Sequence, residues 1–184
     1  MRIVFFSIIL LLGFVFNVSA QEVIISGKTG ERLLEWKDFN GTADENSNHA
    51  AYTYWGIRYG FSGVDFPGGK VSFKGLEITL SFESDKSWVK EGKASDYLLK
   101  HEQGHFDIGR LCQLEIMATI KTTNFDEKDF KLQMKEIFKN ARQKYHDLGI
   151  KYDEETKHSI NKEKQEEWNK FLLAEKERLL KLNQ

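Results

Sequence analysis

The chain has 184 residues, enough for one domain of ordinary size with its own core. Apolar residues make up 40% and charged residues 30%, a balance that excludes a disordered chain. With 27 basic and 28 acidic side chains the formal net charge is −1, so no basic field is available for nucleic-acid binding.

The first twenty residues read as a removable export signal. Arg2 supplies the positive start, residues 3–16 are almost all apolar, and Val18-Ser19-Ala20 offers small residues where a signal peptidase reads. The apolar run is short for a membrane span, which needs roughly 20 residues. Cleavage after Ala20 leaves residues 21–184 as a single secreted or periplasmic domain with no stable membrane insertion. Cys112 is the only cysteine, so no internal disulfide forms and a small core residue is expected there.

Residues 22–84 read as sheet, a meander of three or four antiparallel strands. Short β-rich runs lie at 22–26 and 33–39, an aromatic run at 51–61 and an alternating run at 71–82, with a Pro67-Gly68-Gly69 turn. Ser95 or Asp96 then caps a helix that runs to about Thr119. A second helix is expected from near Asp126, with Phe130, Met134, Ile137, Phe138, Ala141 and Tyr145 as its apolar stripe and Leu148-Gly149 as its stop. A third begins near Asp153 and continues to the end, turning Trp168, Phe171, Leu172 and Leu179 inward. The fold class is α+β, an N-terminal antiparallel sheet followed by helices.

Chemistry concentrates in His101-Glu102-Gln103-Gly104-His105 on the first helix. Two histidines four apart stand one above the other on one face and can share a zinc ion. Glu102 points about a quarter-turn away, placed to take a proton from a water rather than to ligate the metal. A catalytic zinc site usually has three protein ligands. The longer H-E-x-x-H-x-x-G-x-x-H pattern is excluded, because Ile108 and Leu111 stand where Gly and His are needed. Glu127, His146 and His158 remain, and His158 is the best placed if Asp153 caps the third helix.

Three stretches carry a family resemblance: residues 34–41 (Leu-Glu-Trp-Lys-Asp-Phe-Asn-Gly) with Ala50 to Thr53 and Gly56 to Tyr59; His101 to Ile108; and Tyr152-Asp153-Glu154-Glu155-Thr156-Lys157-His158-Ser159. In that order they resemble the bacterial proteins catalogued as predicted secreted zinc-dependent proteases. The resemblance implies a zincin-like domain over 21–184, zinc as cofactor, His158 as third ligand beside His101 and His105, and a peptide or protein substrate. Its pattern has Gly where this chain has Ser159, so the local turn is expected to differ. Tyr152 is a candidate to stabilise an oxyanion, or else an aromatic packing residue. Asp153 or Asp107 is a candidate to orient a ligand histidine, or else a helix cap or a solvated charge. The run Tyr52-Thr53-Tyr54-Trp55 lines a cleft or forms a half-buried strand.

The leading functional expectation is zinc-dependent peptide hydrolysis outside the cytoplasm, with Glu102 as general base. A second keeps the zinc as a non-catalytic staple for an exported binding domain, with His49 as a conceivable fourth ligand. A third assigns partner binding to the charged, apolar-striped segment 160–180, against the simpler expectation that it packs on its own domain.

Overall fold

The computed structural model describes residues 20–184. The expected export segment therefore lies almost entirely outside the described residues. Among them no helix is long and apolar enough to cross a membrane. The architecture is mixed α+β: strands first, then three helices.

The main sheet contains β1 (Ala20–Ile25), β2 (Lys28–Thr29), β4 (Trp55–Gly60) and β7 (Glu77–Phe82), in the order β2-β1-β7-β4. Two strand pairs flank it: β3 (Ala51–Tyr52) with β8 (Trp88–Val89), and β5 (Gly63–Asp65) with β6 (Ser72–Lys74). The sheet is not the expected antiparallel meander. β4 pairs β7 antiparallel, but β1 pairs β7 in parallel, with Val23 opposite Leu80. Alternation decides which side chains share a face, and Val23, Ile25, Ile57, Ile78, Leu80 and Phe82 all go to the core. It carries no information about strand direction, which the long excursion between β1 and β7 decides here.

The segment 33–39 also departs from expectation. It holds a short 3-10 turn, Trp36–Asp38, instead of a strand. Asp38 explains it: its carboxylate accepts from the Glu35 N–H at 2.8 Å, from Ser26 Oγ at 2.7 Å and from both terminal nitrogens of Arg32 at 2.6 and 2.7 Å. The Leu34 N–H beside it donates to Gln103 Oε1 at 2.8 Å, tying this turn to the histidine helix. Burial of Asp38 disfavours its charge, but these donors outweigh burial and hold its pKa down to about 2. A depressed folded pKa gives stability that is full above the ordinary carboxylate range and is lost as pH falls toward 2. Between pH 5 and pH 2 the protein is expected to lose about 2 kcal/mol more than its Asp38→Asn variant. Urea midpoints of both proteins at the two pH values check this, and equal losses would remove Asp38 as the cause.

The first helix, α1 (Asp96–Thr122), begins where the sequence indicates. Ser95 is its N-cap, accepting from the Leu98 N–H at 3.2 Å. It lies on β4 and β7, where Gly109 lets the Trp55 ring approach: a Cβ there would stand 2.7 Å from Trp55 Cδ2. Gln113, fully buried on α1, donates to the carbonyls of Glu22 at 2.7 Å and Ile78 at 2.6 Å, clamping helix to sheet. Cys112 is buried in the core, and burial pushes its thiol pKa up to about 12.

α2 (Phe130–Thr156) does not stop at Leu148-Gly149. A mid-helix Gly costs only about 1 kcal/mol relative to Ala, and the buried face continues past it through Tyr152 and Thr156. The helix ends in a left-handed turn, with Lys157, His158 and Ser159 at φ of 50°, 50° and 75°. None of the three is glycine, so the turn stores strain of roughly 1 kcal/mol or more per residue. α3 (Lys162–Leu182) starts after this turn with Asn161 as its cap, not at Asp153. It packs on α1 and α2 through Trp168, Leu172 and Leu179, while Phe171 remains exposed.

Candidate metal and catalytic site

His101 and His105 stand on one face of α1, as their spacing requires, with ring centroids 5.0 Å apart. The last turn of α2 brings Asp153 against both. Asp153 Oδ1 lies 3.1 Å from His101 Nε2 and 3.1 Å from His105 Nε2. Donors about 2.0–2.1 Å from a tetrahedral zinc are separated by about 3.3 Å, so these spacings suit three ligands on one ion.

His158 sits in the left-handed turn, not on a helix, and its Nδ1 is 3.3 Å from the same Asp153 oxygen. Asp153, rather than His158, completes the close triangle with the two helical histidines. His158 belongs to a second donor group with Asp153 and His49, whose ring is 4.5 Å from its own. The physical reason is the extension of α2 to Thr156, which carries Asp153 inward and leaves His158 half exposed beyond the helix end.

Buried polar side chains surround the histidines. The Gln165 side-chain nitrogen donates to the Tyr152 hydroxyl and to Asn169, and its oxygen faces His101 Nδ1 at 2.9 Å. His101 Nε2 and His105 Nε2 both point at the same acidic oxygen. Burial alone would raise the Asp153 pKa, but its contacts with His101 and His105 hold it well below the usual carboxylate range. His105 responds in the opposite sense: burial disfavours its charge, yet Asp153 and Glu102 raise its pKa. The two shifts express the mutual attraction of the Asp153 carboxylate and the His105 ring.

Glu102 is 2% exposed, and its Oε2 has no hydrogen-bond partner among the described residues. An orphaned buried carboxylate oxygen is costly unless something else meets it. It borders a cavity of about 40 Å³, room for a water or two, lined also by His101, His105, Asp153, His158 and Tyr52.

The other candidates fall elsewhere. Tyr152 is fully buried beneath the site. Its ring stacks on His101 with centroids 4.7 Å apart, and its hydroxyl donates to the His101 carbonyl at 3.0 Å while accepting from Gln165. That hydroxyl is committed below the helix and does not border the cavity, so Tyr152 holds His101 in place instead of facing an oxyanion. Asp107 accepts from Gln103 at 2.9 Å, not from a histidine. Glu127 is exposed in the turn before α2, beyond the far end of α1, some 25 Å of helix from His105. His146 is exposed on α2, about two turns before Asp153. Sequence reasoning missed Gln165 altogether and weighed Asp153 only as an orienting or capping residue. The series Tyr145, Tyr152, Thr156, at helical spacing and read through Gly149, is the signal that would have carried α2 on to Asp153.

A groove of about 1030 Å³ leads from His105 and Asp153 between β4 and α2. β4 is the last strand of its sheet, so its outer edge has no strand partner among the described residues.

The family model described as "Bacterial protein of unknown function (DUF922)" matches residues 21–159. The chain belongs to this family. The matched segment holds both helical histidines, Glu102, Asp153, His158 and His49, and stops before α3. Gln165, which orients His101, thus lies outside the segment that the DUF922 family model matches. No curated protein and no solved structure matches the chain.

Proposed function

We propose that this member of the family is an exported zinc-dependent peptidase with a zincin-like active-site helix. The observation that carries the reading is one arrangement: His101 Nε2 and His105 Nε2 converging on Asp153 Oδ1, beside the unpartnered carboxylate oxygen of Glu102. A zinc ion held by His101, His105 and Asp153 would polarise a scissile carbonyl and bring the pKa of a water near neutrality. Glu102 is the residue that would accept a proton from that water and return it to the departing amine nitrogen. Gln165 and Tyr152 fix the ring plane of His101. The free edge of β4 accepts an extended substrate chain as an added strand, which aligns a peptide along the groove.

Metal analysis tests this. The purified protein is expected to carry about one zinc per chain. His101→Ala should lose it, and Asp153→Ala should lose more of it than His158→Ala. The reverse order of the last two moves the third ligand to His158, and a protein that takes up no transition metal even after reconstitution overturns the reading.

One observation favours a second reading, a zinc-stabilised binding domain without catalysis. His49 and His158 stand on the open side of Asp153, where they can fill a fourth position. Cobalt-substituted protein separates the two. A visible spectrum that shifts when a small hydroxamate is added reports an open position, and an unresponsive one reports a closed staple.

A further inference from the structure

The groove is lined by more positive than negative charge, with Arg58 on β4 and three cations on α2. α2 turns Lys135, Lys139 and Arg142 toward it, three exposed cations at spacings of four and three residues. The carboxylate that borders it is Asp153, already engaged by the histidines. Neither Lys135 nor Arg142 has an ion-pair partner among the described residues, and Lys139 reaches Glu136 only at 3.9 Å. In a chain with 28 acidic and 27 basic side chains, this is a local segregation of charge and not the average surface.

The cations also sit at a defined distance from the chemistry. Arg142 and Lys135 precede Asp153 by 11 and 18 residues of one helix, or about 16 and 27 Å along it. β4 runs beside this stretch, with the Tyr59 ring 4.6 Å from that of Phe138. An extended chain laid along β4 covers that span with about five to eight residues at roughly 3.3 Å each.

From this geometry we infer that the groove selects extended acidic peptides, seating Asp or Glu side chains on Lys135, Lys139 and Arg142 about five to eight residues from the bond at the histidine site. The position of that bond rests on the peptidase reading; the charge preference of the groove does not. Surface cations act mainly by steering and by summed attraction, so the preference is strongest at low salt.

The test uses fluorescent peptides of about 16 residues with one neutral centre and a Glu-rich, Lys-rich or Gly/Ser tail. Anisotropy is expected to give at least ~10-fold tighter binding for the Glu tail than for either of the others, shrinking at high salt. The triple reversal Lys135→Glu, Lys139→Glu, Arg142→Glu should erase that preference. Equal binding of the three tails, or a preference that survives the reversal, overturns the inference. Cleavage of the same peptides, followed by mass spectrometry, separates the two readings. Acidic binding without cleavage leaves the groove assignment standing and removes the peptidase. Cleavage of every tail at equal rates does the opposite.

Discussion

Glu102→Gln is expected to lower peptide hydrolysis by about 10²- to 10⁴-fold while zinc content stays unchanged. The substitution keeps the shape of the side chain and removes its ability to accept a proton. Glu102 stands outside the His101, His105 and Asp153 triangle, so metal retention should not depend on it. The wild-type side chain is buried with one oxygen unpartnered, and the isosteric amide occupies the same space. Thermal unfolding, zinc analysis and peptide cleavage on the same preparations give the three readouts. A variant that still cleaves at the wild-type rate would end the general-base assignment. One that loses zinc together with activity would show that Glu102 supports the metal instead.

Gly104→Ala is the second large effect. In an ordinary helix this change stabilises by about 1 kcal/mol. Here the new Cβ would lie 2.7 Å from Tyr152 Cζ, and closer still to the hydroxyl oxygen. Tyr152 has no free space to yield, because it is fully buried, stacked on His101 and hydrogen-bonded to Gln165 and the His101 carbonyl. Overpacking of this kind costs about 1–3 kcal/mol, and displacing the hydroxyl adds about 1 kcal/mol for each hydrogen bond lost. The net expectation is a loss of about 2 kcal/mol, or roughly 4–8 °C in Tm. Zinc should also be held more weakly, since Tyr152 sets the plane of the His101 ring. Tyr152→Phe removes the nearest clashing atom, so it should recover part of the loss in the double variant, a non-additivity that thermal unfolding of all four proteins reads directly. An unchanged or raised Tm in Gly104→Ala would place the tight contact elsewhere.

Much of this molecule is written in local pattern. The start of α1 at Ser95, the shared face of His101 and His105, the burial of Cys112 and the inward face of α3 at Trp168, Leu172 and Leu179 all follow from caps and helical period. So does the succession of strands and helices, because alternation and a 3.6-residue repeat are properties of short stretches of chain. The order of the strands is different: β1 and β7 run parallel because of the path between them, and no residue in either strand records that path. The end of α2 is a tertiary decision as well. Gly149 is a reasonable local stop, yet the burial of Tyr152 and Thr156 against the core outweighs its small cost and carries the helix about two turns farther. The composition of the site depends on that extension. It brings Asp153 to the histidines, strands His158 in a strained turn opposite His49, and sends the Tyr152 hydroxyl under His101. Gln165 reaches His101 across 64 positions of sequence, a separation at which no spacing rule operates, and only the packing of α3 on α1 brings the two together.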